Sequence, residues 1–142
     1  MKKAMVLFCC VLAVALLMNA GALAGQFTNV PTVPNGGEVQ FYASPKNYGN
    51  AMMMHTYSFN STTVTDNFRC RIVSNSTGRA LRLKLIGVDG TIINSCITAV
   101  NGTCATPIVA LLPNLRFHCT VSSGNPFPVT SSALYRIAIG RP

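Results

Sequence analysis

Four stretches of this chain alternate apolar and polar residues with a period of two. In FRCRI, Phe68, Cys70 and Ile72 fall in one phase and Arg69 and Arg71 in the other. RALRLKLIG sets Leu81, Leu83 and Leu85 against Arg82 and Lys84. LRFHCTV sets Leu115, Phe117, Cys119 and Val121 against Arg116, His118 and Thr120, and ALYRIAI sets Tyr135, Ile137 and Ile139 against Arg136 and Ala138. Successive side chains of a strand point to opposite faces, so this pattern describes strands with one buried face. A surface helix would return its apolar residues every three to four positions, and no segment does so.

Turn signals separate the alternating runs. SNSTG lies between the first two, which predicts that they form a hairpin, and Asp89-Gly90 and Asn101-Gly102 mark further turns. EVQFYAS and MMMHTYSF bring the expected number of short strands to seven or eight. The fold class is therefore all-β, an antiparallel β-sandwich. Residues 25–37, GQFTNVPTVPNGG, carry two prolines and a double glycine. They are expected to form a flexible N-terminal lead or an edge segment, leaving 38–142 as the sandwich domain.

The first 24 residues have the three parts of a secretory signal peptide: Lys2 and Lys3, an apolar run from Ala4 to Met18, and Ala22-Leu23-Ala24 as a small-residue cleavage site. The apolar run falls short of the ~20 residues that cross a bilayer, and no later segment reaches that length, so no membrane span is expected after cleavage. The product would be periplasmic or extracellular in a bacterium. Removing the two leader lysines from eleven Lys and Arg leaves nine against three acids, a formal charge of +6.

Cleavage also removes Cys9 and Cys10, leaving Cys70, Cys96, Cys104 and Cys119. An even number of cysteines in an exported chain reads as two disulfides. Cys70 and Cys119 each fall in the apolar phase beside an inward phenylalanine, a position suited to bridging two sheets and unsuited to a reactive thiolate. Alternation thus favours Cys70–Cys119 with Cys96–Cys104 closing a small loop, although four cysteines allow three connectivities. No C-x-x-C occurs, which removes the usual zinc-knuckle and thioredoxin spacings.

The run CRIVSNSTGRALRLKLIGVDGTIINS followed by LRFHCTV resembles a pattern in small exported bacterial β-sandwich proteins of uncharacterised function. The resemblance covers residues 66–139 and rests on Cys70, Asn75, Asp89, Gly90, Phe117 and Cys119. It implies an immunoglobulin-like sandwich and supplies no catalytic residue. The basic outer face of this chain is not part of it.

That basic face is the main candidate site. Arg69, Arg71, Arg82 and Lys84 occupy the outward phase of the predicted hairpin, and Arg116 and Arg136 join them if their strands share its sheet. Such a face is either simply solvated or meets an anionic surface, with lipopolysaccharide, acidic polysaccharide and extracellular nucleic acid as the expected polyanions, or another exported protein. Specific nucleic-acid binding is not expected, because the aromatics that would stack on bases alternate inward.

A second candidate is a copper site, since thioether and imidazole ligands suit Cu(I). Met53, His55 and His118 are the residues to test, although strand alternation places Met53 and His55 on the face opposite Met52 and Met54. No cofactor is otherwise implied. Catalysis is not expected either: three acids in total leave little for carboxylate chemistry, no G-x-S-x-G elbow is present, and His118 points away from its neighbour Cys119. The N-x-S/T triplets at Asn60, Asn75 and Asn101 are no more than chance supplies in a chain this rich in Asn, Ser and Thr. The most economical function is a non-catalytic binding or structural module; a further alternative is an appendage subunit, since exposed sheet edges permit strand addition and the N-terminal lead could serve as the donated strand.

Overall fold

The computed structural model describes residues 26–33, 37–43, 54–123 and 134–141. The signal-peptide reading of 1–24 and the candidate ligand Met53 lie outside them. The described residues form ten strands and no helix: β1 (Gln26–Asn29), β2 (Glu38–Ala43), β3 (Met54–Asn60), β4 (Asp66–Asn75), β5 (Arg82–Ile86), β6 (Ile92–Ile97), β7 (Cys104–Ala105), β8 (Val109–Leu111), β9 (Arg116–Ser122) and β10 (Tyr135–Gly140). Sheet I has the order β1-β3-β9-β5-β6, and sheet II the order β2-β10-β4-β7, with β8 also paired to β4. All pairings are antiparallel except that of β1 with β3.

The apolar phase of each alternating run faces the space between the sheets. Phe68, Cys70, Ile72, Ile137 and Ile139 come from sheet II, and Phe59, Leu83, Leu85, Phe117, Cys119 and Val121 from sheet I, all buried. The Phe59 ring packs 5.7 Å from Phe68 across the layers and 6.1 Å from Phe117 within its own sheet. Cys70 is bonded to Cys119 beside this cluster, joining the two sheets through the middle of the core. Cys96 is bonded to Cys104. Because β6 is the last strand of sheet I and β7 the last of sheet II, this loop-closing bridge also ties the two sheet edges together.

The predicted hairpin between the FRCRI and LRLKL runs does not form. β4 belongs to sheet II and β5 to sheet I, so the link between them crosses the ~10 Å from one layer to the other. Side-chain hydrogen bonds hold this arch. Asn75 Oδ1 accepts from the Thr77 backbone N–H at 3.0 Å, Asn75 Nδ2 donates to the Arg79 carbonyl at 2.8 Å, and the Leu81 N–H donates to Thr98 Oγ1 at 2.9 Å. Among the described residues only β5 and β6 are consecutive strands paired with each other. Their turn contains the expected Asp89-Gly90, with Gly90 at a φ of 81° and Asp89 Oδ1 accepting from the Thr91 N–H.

Of the two expectations for 25–37, a flexible lead or an edge segment, the described residues take the second. Gln26–Asn29 pair in parallel with His55–Ser58, the Val30 N–H donates to the Ser58 carbonyl at 2.7 Å, and Val33 is buried in the core. This part of the chain is a sheet edge.

Candidate anion-binding site

Alternation sends the six candidate cations outward, as the sequence implies, but the two layers divide them between opposite faces of the molecule. Arg69, Arg71 and Arg136 stand on sheet II; Arg82, Lys84 and Arg116 stand on sheet I. The expected quartet Arg69, Arg71, Arg82 and Lys84 is not one surface, because its two strands sit in different sheets.

On sheet II, β4 and β10 place Ala138 opposite Arg71 and Gly140 opposite Arg69. These small residues leave room for long side chains to lie across the strands. Arg71 reaches over β10 to Glu38 on β2, with Nε donating to Oε1 at 2.8 Å and Nη2 to Oε2 in a two-pronged ion pair. Gly140 lets the backbones of β10 and β2 lie close together beside this pair, since an added Cβ would lie 2.3 Å from the Gly37 carbonyl oxygen. Arg136 sits 5.5 Å from the centre of the exposed Tyr42 ring and donates to its hydroxyl at 3.1 Å. Arg69 Nε, like Arg136 Nε, is buried with no hydrogen-bond acceptor among the described residues. Beside Arg69, residues of the paired strands β4 and β7 line a cavity of about 280 Å³.

Sheet I has a different electrostatic character. None of its five strands, as described, contains Asp or Glu. Glu38 and Asp66 both belong to strands of sheet II and pair with Arg71 and Arg141. Asp89 lies in the β5–β6 turn, where hydrogen bonds from Thr91 hold its carboxyl below the usual carboxylate range. Lys84 stands opposite Thr120, Arg82 opposite Ser122 and Arg116 opposite Asn60, so the cations are set among hydroxyl and amide groups. Arg116 Nη2 donates to Asn29 Oδ1 on β1, which anchors one guanidinium to the edge strand.

His118 shares this face and a hydrogen bond of 2.6 Å with Ser58 Oγ. Loss of solvation, and then the charge of Arg116, hold its imidazolium below the ordinary histidine range. A serine bonded to a histidine is the beginning of a nucleophile–base pair. Here the two are directly opposed on neighbouring strands, and Ser58 is only 2% exposed, so its hydroxyl is shielded from an incoming substrate. The arrangement is a cross-strand contact that holds β3 to β9.

His55 lies on the opposite side of β3, inside the sandwich. Its Nδ1 is 3.1 Å from the Tyr57 hydroxyl and 2.9 Å from that of Tyr135, and its Nε2 is 2.9 Å from Thr28 Oγ1. His55 and His118 therefore point to opposite faces of sheet I, and the two imidazoles proposed for copper do not converge. Among the described residues no three His, Cys, Asp or Glu side chains gather into a metal-sized group. The polar network at His55, Tyr57 and Tyr135 was not anticipated. All three residues lie in the inward phase of their strands, which signals a buried polar cluster, but sequence does not reveal which strands meet there.

A scan against protein-family models gave no match, nor did a search of curated protein sequences. Solved structures do resemble the fold. The pre-peptidase C-terminal domain of a collagenase from Bacillus anthracis superposes with a TM-score of 0.52 at 12% identity, covering 82% of this chain and 96% of that one. PliG of Aeromonas hydrophila, a periplasmic inhibitor of g-type lysozyme, gives a TM-score of 0.46 at 13% identity, covering 82% of this chain and 98% of that one. The first likeness spans nearly all of the collagenase domain and concerns the β-sandwich architecture.

Proposed function

We propose that this chain is a non-catalytic exported binding module that lays the outer face of sheet I against an anionic polysaccharide surface, including the charged sugars of lipopolysaccharide. The observation that carries this reading is the segregation of charge: Arg82, Lys84 and Arg116 stand on a sheet whose strands hold no carboxylate, while Glu38 and Asp66 are paired on the other sheet. A flat field of one sign attracts polyanions over a distance set by salt. Arg82 and Lys84 are two residues apart on one strand, a spacing of roughly 7 Å. The hydroxyls between the cations offer hydrogen bonds to sugars. Two disulfides and the leader-like residues 1–24 fit an oxidising compartment. Among the described residues no helix is long and apolar enough to cross a membrane.

Salt-gradient elution from immobilised heparin and from lipopolysaccharide tests the reading. Replacing Arg82, Lys84 and Arg116 together by Gln should move elution to clearly lower salt, whereas Arg69→Gln with Arg136→Gln should move it far less. Equal shifts in the two variants, or none in the first, would remove sheet I as the binding face.

A further inference from the structure

On the face opposite the proposed polysaccharide surface, we infer that the cavity lined by β4 and β7 is a discrete site for a single carboxylate group, with Arg69 as its principal ligand. The cavity, about 280 Å³, is lined by Arg69, Arg71, Val73, Thr103, Cys104 and Ala105. That volume sits near the lower limit for small-molecule sites, enough for an acid with a short tail and too small for a folded partner.

Three features point to this ligand. Arg69 Nε and Arg136 Nε are both buried donors with no acceptor among the described residues, and of the two only Arg69 lines the cavity; desolvated guanidinium N–H groups are costly to leave unpaired. An anion entering the cavity would supply the missing acceptor. Arg71 is already committed to Glu38 through two N–H groups, so it forms a fixed wall. The local charge is then set by Arg69, Arg71 and Glu38: two cations and one anion leave a single positive charge. This balance matches a monoanion better than a phosphate dianion. The planar fork of a guanidinium also fits the two coplanar oxygens of a carboxylate.

The other walls suit the same ligand. Val73 and Ala105 offer apolar surface to a tail, and Thr103 brings a hydroxyl. β7 is only two residues long, but Cys104 is bonded to Cys96 on β6, so this wall is fixed from the neighbouring sheet. A site whose walls are already in place loses little entropy on binding.

Acetate is the simplest probe. Titrating the exported, oxidised protein with sodium acetate at constant ionic strength should shift the Arg69 Nε–H resonance along a saturable curve, together with the amides of Thr103 and Ala105. The expected dissociation constant is millimolar for so small an acid, and propionate should bind more tightly by using the apolar wall. Arg69→Gln should abolish saturation at the Thr103 and Ala105 amides. Ala105 is exposed, so Ala105→Leu fills the mouth of the cavity without disturbing the core and should abolish binding with Arg69 intact. The Arg82→Gln, Lys84→Gln, Arg116→Gln variant should keep acetate binding, which separates this site from the heparin-binding face. A response that never saturates, one that chloride reproduces, one that survives Ala105→Leu, or tighter binding of phosphate than acetate would overturn the assignment.

Discussion

The Tyr57 hydroxyl lies inside the sandwich, 2.9 Å from that of Tyr135 and 3.1 Å from His55 Nδ1. A neutral imidazole whose Nε2–H donates to Thr28 Oγ1 presents a lone pair at Nδ1, which lets a tyrosine donate to it and the second tyrosine donate to the first. The opposite tautomer would make Nδ1 a donor, so that neither tyrosine could donate to it. Burial pushes the Tyr57 hydroxyl up to about 12, outweighing the opposing effect of the bond to Tyr135. The folded-state value lies above the unfolded one, so this stabilisation is fully present below pH 10 and is lost as pH rises through about 12. Urea unfolding should show a loss of about 2 kcal/mol between about pH 8 and about pH 11.5 from this group. Tyr57→Phe should remove most of that alkaline loss while lowering stability at about pH 8 by roughly 1–3 kcal/mol, because its partners lose a buried hydrogen bond. An unchanged alkaline loss in the variant would assign it to other groups.

At the scale of elements, the edge beside β4 shows how a strand can be interrupted without leaving its neighbour unsatisfied. β7 pairs with Arg71 and Ile72, and β8 pairs with Asp66 to Phe68, so Cys70 faces the break. Thr106 fills it on both sides: its N–H donates to the Cys70 carbonyl at 2.9 Å, and its Oγ1 accepts the Cys70 N–H at 3.1 Å. Pro107 follows, and having no N–H it cannot continue a ladder. Thr106→Val keeps the shape but removes the acceptor from a buried N–H, so it should cost roughly 1–3 kcal/mol in urea unfolding, and Thr106→Ser should restore most of it. Equal stability of the Val variant and the parent would mean that the Cys70 N–H finds another acceptor. The same elements show what the sequence makes legible. Period two identifies the buried face of β4, β5, β9 and β10 because burial acts on each side chain separately. It does not say which strand pairs with which, since that depends on whether the intervening link turns within a sheet or arches between sheets. The arch at 76–81 depends on Thr98, which is distant in sequence from Asn75 and Leu81. β1, β7 and β8 are too short to display a period, which explains the ten strands found where seven or eight were expected. The outward phase of all six candidate cations was readable for the first reason; their division between two faces was hidden for the second.

Across the whole molecule, the two disulfides connect the same two layers in different surroundings. Cys70 and Cys119 are fully buried in the middle of the sandwich, whereas Cys96 and Cys104 are half-buried where the edges of sheets I and II meet. Their sequence separations are 49 and 8 residues. On the chain-entropy account, the longer loop restricts the unfolded chain by roughly 4 kcal/mol and the shorter by roughly 2.5 kcal/mol. Burial gives them a second difference, because thiol–disulfide exchange requires a thiolate to reach a sulfur. Mild reductant under native conditions should therefore open Cys96–Cys104 first, and Cys70–Cys119 should resist until the sandwich unfolds as a whole. Alkylation followed by mass spectrometry along a reduction time course measures that order. Urea unfolding should find the paired Ala replacement of Cys70 and Cys119 more destabilised than that of Cys96 and Cys104, since it also empties volume in the core beside Phe68 and Phe117. If the central pair were alkylated as early as the edge pair, the core would be opening locally around Cys70, and the two layers would not behave as one cooperative unit.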